Sequence, residues 1–442
     1  MVSRTLYLTA VLLQLAAPTV QAQAPAAATP IATEVADVAR PELDRQTLDT
    51  LRLADALAAA REANPMLQAV RLRADASRER ISPAGALPDP QLSFALMNRP
   101  VSDFGTNEPM TMNSVQLSQM LPWPGKLGFR ERQARHLAEA QGLDAEETER
   151  RLLAQVKTVY FQLAYMDRAL RIMDETRDLL RDFLQVSSAL YSVGSGLQQD
   201  VLQAQVAVAQ MSEDITVMEQ DRLAMAARLN ALLGRAATEQ VGVLELPQPG
   251  SELPDVDSLM QLAVEERPAL RAARERVLAA QAGYRAARRA LYPDFMVGLG
   301  FGQRPQFDDM VSLMVGVSIP VWAGSSQLPM RREMQAMQLM EQAMERDLYN
   351  ETYANLAEFR AAAERARKLS NLYDTSVLPQ ARAAVESALS AYRVGRIDYT
   401  TLVMNEMTVN RYQIENVRLT AEYHRAVAQV EALIGGTLGG DR

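Results

Sequence analysis

Residues 189–210 read ALYSVGSGLQQDVLQAQVAVAQ, and residues 378–413 read LPQARAAVESALSAYRVGRIDYTTLVMNEMTVNRYQ. They share a turn at a spacing of 201, since Tyr191-Ser-Val-Gly194 returns as Tyr392-Arg-Val-Gly395. Leu233-Gly234 matches Ile434-Gly435 at the same spacing. With small shifts, Pro65 matches Pro268, Pro88-Asp89 matches Pro293-Asp294, and Pro122 matches Pro320. Units of about 200 residues are too long for a solenoid, whose repeats run roughly 20–50. The chain therefore reads as a duplicated half. Each half runs helix, two short alternating segments, one very long helix, a tip and a medium helix.

The long helix is legible from what it lacks. No proline occurs between Gly125 and Leu246, and the pattern from Leu127 to Tyr191 is helical nearly throughout. At 1.5 Å per residue that is a rod of roughly 100 Å. Steps of four and three alternate through positions 152, 156, 159, 163, 166, 170, 173, 177, 180, 184, 187 and 191, with only Arg177 and Ser187 neither apolar nor aromatic. That 3.5-residue period is a coiled-coil seam. A second stripe, from Tyr165 through Ala169, Ile172, Leu179, Phe183 and Val186 to Leu190, is broken only by Thr176. Two seams on one helix predict neighbours on both sides, as in a ring of helices.

The short segments change period. Leu92, Phe94 and Leu96, then Val115 and Leu117, alternate with small or polar residues in the first half. Phe295, Val297, Leu299 and Phe301, then Val311, Leu313, Val315, Val317 and Ile319, do so in the second. These are expected to be membrane strands of roughly 9–11 residues, with Trp123, Trp322 and Tyr292 at the interfaces. Four strands cannot close a barrel, and an open edge in lipid leaves backbone groups unpaired. Three copies would supply about twelve strands, an even number within the usual range.

Composition narrows the function. The 442 residues are 48% hydrophobic and 23% charged, contain no cysteine and only two histidines, and carry a net charge of −8. Disulfides, thiolate metal sites, cysteine nucleophiles and a lipid-bearing cysteine are excluded, and a nucleic-acid partner is disfavoured. No P-loop, dinucleotide fingerprint, GxSxG or HExxH occurs, so neither an enzyme nor a cofactor is expected. Met330, Met334, Met337, Met340 and Met344 form a helix stripe best read as core filling rather than a soft-metal site. His136 and His424 read as surface or packing residues rather than ligands, so no metal site is assigned. Residues 1–22 read as a signal peptide and 23–50 as an Ala/Pro-rich linker. They are followed by repeats at 51–250 and 251–436 and a short tail at 437–442.

On the two tip stretches, and on the turns SQMLPWPGK (118–126) and VSIPVWAGS (317–325), the chain resembles the TolC-like outer-membrane efflux family. LPDPQLSFALMN and EPMTMNSVQLSQMLPWPGK look most like its heavy-metal cation branch. The resemblance implies a mixed, mostly α fold: a twelve-stranded outer-membrane barrel completed by a homotrimer, continued by a coiled-coil α-barrel in the periplasm. Such a channel is embedded in outer-membrane lipid, without a lipid anchor. It would serve a periplasmic adaptor and an inner-membrane pump, exporting metal cations or, alternatively, drugs or proteins secreted by a type I system. Tyr191, Val193, Gly194, Ser195, Gly196, Tyr392, Val394, Gly395 and Arg396 match the family's tips, where adaptors dock. The glycines also read simply as helix C-caps. Asp200 matches an acidic gate position. Its repeat equivalents are Thr401 and Met404, so Asp398 is the second gate candidate, and either acid also reads as a solvated helix N-terminal carboxylate. Pro379 is expected to kink the second long helix. The rival class is a periplasmic coiled-coil or adaptor protein.

Overall fold

The computed structural model describes residues 51–101, 105, 108–305 and 307–438. The leader and linker expected at 1–22 and 23–50 lie outside these residues, as do the last four of the tail. The first half comprises α1 (Leu53–Ala63), α2 (Pro65–Glu79), the short α3 (Ile81–Gly85), β1 (Gln91–Met97), β2 (Met112–Leu121), α4 (Lys126–Ser192) and α5 (Gln198–Leu232). The second comprises α6 (Val256–Glu266), α7 (Pro268–Arg289), β3 (Asp294–Gln303), β4 (Met310–Ser318), α8 (Gln327–Leu372), α9 (Leu378–Arg393) and α10 (Tyr399–Ile434).

The single leading helix expected in each half is two helices. Asn64 and Arg267 each precede a proline and sit at ψ 117, in the extended region. A following proline ring disfavours the helical conformation of the residue before it. Asn64 caps α2 with its side chain and donates to the Leu232 carbonyl at 3.0 Å. Arg267, buried, donates to Thr352 Oγ1 at 2.6 Å and Glu147 Oε1 at 3.1 Å, tying the α6–α7 joint to α8 and α4.

α4 runs unbroken for 67 residues, and both its stripes are used. It packs against α5, α7 and α10. Leu163, Leu180, Ala169 and Phe183 are all buried. Of the three polar interruptions in the seams, Thr176 and Ser187 are buried but satisfied. Thr176 donates to the Ile172 carbonyl at 2.9 Å and accepts from Asn410 of α10 at 2.8 Å, and Ser187 donates to the Leu184 carbonyl. Arg177 instead pairs with Asp174 at 2.8 Å. In the second half the rod is interrupted. A π-helical turn at Tyr373–Val377 separates α8 from α9, whose first turn holds Pro379. The wider turn takes up the hydrogen-bond register that a proline without an N–H would otherwise break.

The four strands form one antiparallel sheet in the order β1-β2-β3-β4. Phe94, Val115, Phe301 and Val311 form one lateral row, and Leu92, Leu117, Leu299 and Leu313 the next. One face is thus apolar and exposed. The other carries glycines, serines, Gln116 and all six strand methionines, among them Met296 and Met314, whose methyl groups lie over Gly316 and Gly298. Two expectations are corrected. β1 spans only seven residues, ending before Asn98, whose φ of 54 turns the chain away. Ile319 lies beyond the end of β4, because Pro320 has no N–H for a ladder and the Ile319 carbonyl accepts from Val321 N in a tight turn. Among the described residues no helix is long and apolar enough to cross a membrane.

At the corner between sheet and helices, Trp123 stacks on Tyr292 (5.1 Å) and Phe295 (5.7 Å). Asp294 accepts from both Trp123 N and Lys126 Nζ at 2.7 Å. At the far end of α5 and α10, Gly234 and Gly435 adopt φ 69 and 74. A Cβ there would lie 2.6 Å from the Ala63 carbonyl oxygen and 2.7 Å from that of Glu266, respectively. Gly435→Ala should lower stability by at least about 1–2 kcal/mol, the cost of a left-handed residue bearing a Cβ, with the contact added. An unchanged thermal midpoint in detergent would contradict this packing.

Candidate functional site

The residues matched to family tips lie at the two turns farthest along the chain from the sheet, α4–α5 and α9–α10. Each turn is built alike. Val193 and Val394 cap their helices, and Gly194 and Gly395 take left-handed conformations at φ 73 and 71. Gly194 N donates to the Tyr191 carbonyl at 3.0 Å and Gly395 N to that of Tyr392 at 2.9 Å. Ser195 and Gly196 both return to the Leu190 carbonyl, and Arg396 to that of Ala391. These are the bonds that close orphan carbonyls at a helix end. The caps leave Val193 and Val394 exposed as paired apolar knobs. The tyrosines differ: Tyr191 is exposed, whereas Tyr392 is buried against Tyr399 with ring centroids 5.9 Å apart.

The two gate candidates come together but are not equivalent. Asp398 is the N-cap of α10, accepting from Thr401 N at 2.9 Å and Thr401 Oγ1 at 2.5 Å. Those hydrogen bonds hold its carboxyl below the usual range. Asp200, in the first turn of α5, is shifted the other way. Partial burial pushes its carboxyl up, and the negative charge of Asp398 adds to this. Burial, with the charge of Asp200 nearby, also raises Tyr392 and Tyr399. Tyr399 is almost fully enclosed, and its hydroxyl has no hydrogen-bond partner among the described residues. Thr400 donates to Gln203 Oε1 at 2.7 Å, joining α10 to α5 just behind the acids. Two turns further along α10, Glu406 is buried, and burial alone pushes its carboxyl up.

Residue spacing missed the two tyrosines, the Thr400–Gln203 bond and Glu406. The one available signal was Asp398-Tyr-Thr-Thr401, an acid three residues ahead of a threonine at a helix start, which marks a cap. The histidines have packing roles. His136 Nδ1 lies 2.7 Å from Glu275, and His424 bonds the Pro247 carbonyl while stacking on Phe161, burial lowering its pKa. Among the described residues, no group of three or more His, Cys, Asp or Glu is placed to hold a metal ion. The methionine stripe on α8 is not core within the chain, since Met330, Met337, Met340 and Met344 are exposed. Met334, half-buried, and Met337 line a groove shared with α2, α4 and α7.

The family model "Outer membrane efflux protein" matches residues 56–235 and again 259–436. The pyoverdine export outer membrane protein OpmQ of Pseudomonas putida is 25% identical over 430 residues, covering 90% of this chain and 87% of that protein. The solved structure of CusC, described in terms of transmembrane channel formation, superposes with a TM-score of 0.76 at 16% identity, over 87% of this chain and 92% of CusC. The outer membrane protein VceC of Vibrio cholerae gives a TM-score of 0.75 at 15% identity, over 88% of this chain and 97% of VceC.

The opposed shifts of the two acids give a sign. Asp200, raised, takes up its proton at a higher pH than Asp398, lowered. Acidification should therefore remove the Asp200 charge first, and cation preference in planar-bilayer currents should fall in that step. Asp200→Asn should abolish the step. Asp398→Asn, which keeps a capping side chain, should move it to lower pH, because the like charge that raises Asp200 is gone. An unaltered pH profile in Asp200→Asn would remove Asp200 from the pathway.

Proposed function

The chain belongs to the outer membrane efflux protein family, and on that premise we propose that it is the exit duct of a tripartite efflux system. It resides in the outer membrane, and the family and fold are those of channels. Three copies would join their sheets into a twelve-stranded barrel and their long helices into a periplasmic tunnel. The observation that carries this reading is the sheet. Its apolar face is exposed along every strand, and its two outer strands each keep an unpaired edge. Lipid accepts the face, but only neighbouring strands can satisfy the edges. The duct is passive and carries out no chemistry of its own. An inner-membrane pump supplies cargo and energy through a periplasmic adaptor.

The turns at Gly194 and Gly395 suit adaptor docking, since each presents an exposed valine on a rigid cap. Asp200 is the better gate acid, because Asp398 is committed to its helix. Three Asp200 side chains around one axis would repel one another and attract cations, which suits a constriction. Cargo is selected by the pump. The pyoverdine exporter among the relatives brings small-molecule export alongside the heavy-metal cations suggested by the first strand hairpin.

Deleting the gene tests this. The deletion strain should lose tolerance to at least one of a panel of copper, cobalt, zinc, cadmium and drugs, or lose siderophore secretion, and the protein should fractionate with outer membranes. Recovery in the soluble periplasm with every phenotype unchanged would return the chain to the coiled-coil or adaptor class.

A further inference from the structure

On the sheet face opposite the apolar one, the strand methionines gather in two trios. At the hairpin end, Met97 of β1 directly faces Met112 of β2. Met112 leans the other way, over Gly302 of β3, where a Cβ would lie 2.9 Å from its sulfur. Gly302 in turn faces Met310 of β4. The bare glycine leaves the gap through which Met112 reaches towards Met310. At the end nearer the helices, Met120 of β2 faces Met296 of β3. Met296 and Met314 lie diagonally across β3 and β4 and exchange glycine seats. A Cβ at Gly316 would lie 3.2 Å from the Met296 methyl carbon, and one at Gly298 3.2 Å from that of Met314.

The chemistry of this face is narrow. Its other strand residues are glycines, serines, Ala95, Gln91, Gln116 and Asp294. Asp294 is the one charged residue among them, and its carboxylate already accepts from Trp123 N and Lys126 Nζ. Hard divalent cations take oxygen ligands, carboxylates above all, and these strands offer them little. Thioethers instead select soft Cu(I). Methionine also serves as an adaptable filler of apolar cores. A filler needs apolar neighbours, however, and this face carries no other large apolar side chain. Met97, Met120, Met310 and Met314 are exposed on it, with Met112 and Met296 half-buried between them.

We propose that each trio is a thioether site for a soft monovalent cation, Cu(I) or Ag(I), on the wall of the pore. The inference rests on the duct proposed above, in which this face lines the barrel interior, and deepens it by naming a cargo class that the wall itself recognises. Met112 and Met296 are the central ligands, each placed between two others. Met112 and Met120 are eight positions apart on β2, roughly 27 Å at about 3.4 Å per residue. The trios therefore lie towards opposite ends of the membrane wall, and an ion released from one has a second site ahead of it. Neutral ligands with no fixed anion behind them hold an ion without trapping it, as conduction through a pore requires.

Silver nitrate in chloride-free buffer is the probe, and Zn(II) the control. The protein, extracted from outer membranes in detergent, is loaded with either ion, gel-filtered and assayed for metal per chain by mass spectrometry. The chain has no cysteine, so thiolates contribute no background. Leucine keeps the volume of methionine and removes the sulfur. The triple variant Met97→Leu, Met112→Leu, Met310→Leu should retain about one silver ion fewer per chain than the natural protein, and Met120→Leu, Met296→Leu, Met314→Leu likewise. Zinc retention should be the same in all three proteins. Met112→Leu alone and Met296→Leu alone should each lower silver retention, and they report if a triple variant assembles poorly. Silver retention unchanged in every variant, on protein that still fractionates with the outer membrane, would overturn both sites and leave the duct standing. A loss in one triple variant only would overturn the other trio. Zinc falling in step with silver would overturn the preference for soft ions. Protein absent from the outer membrane would overturn the duct on which the sites depend.

Discussion

The structure depends on one constraint: backbone N–H and C=O groups in lipid must be paired by other backbone groups. The four-stranded sheet satisfies its interior ladders and leaves the outer edges of β1 and β4 open. A soluble protein blunts such edges with charges, prolines or a covering loop. Here β4 instead presents Val311, Leu313, Val315 and Val317 along its apolar face, a composition suited to lipid. In the ring proposed above, further copies would close those edges and the helical half would share their symmetry. α4 has neighbours on both sides within the chain, whereas Met330, Met337, Met340 and Met344 of α8 stay exposed.

The internal repeat builds both halves on one plan. Its fixed points are local. A pre-proline residue splits each leading helix, a left-handed glycine lets α5 and α10 end against that split, and an aromatic corner seats strand on helix. The halves differ at two places. Lys126 of the first corner binds Asp294 with its side chain almost wholly enclosed, while the second corner has no lysine and its tryptophan stays free. Only the second rod has a π turn, ahead of Pro379.

Much of the architecture was legible in the sequence, because its signals are periodic. The absence of proline from 125 to 246 and two 3.5-residue stripes read directly as α4 and its two neighbours, and strict alternation read as the strands. The signals failed where geometry depends on one residue or on distant partners. Ile319 continued the alternation, but the following proline ended the ladder. Thr176 looked like a flaw in the stripe until Asn410, 234 residues away, supplied its partner. The α8 methionines looked like core because hydrophobicity does not say whose core. At the tip, both acids were visible, but their roles depend on which one caps a helix. That is a matter of backbone angles at Asp398 and enclosure at Asp200.

The proposed gate and duct both presuppose that single copies are incomplete. Native mass spectrometry of the protein released from detergent micelles tests this most directly. The ring predicts a species of three chains that persists on dilution. Single chains at every concentration, from protein that still fractionates with the outer membrane, would contradict it.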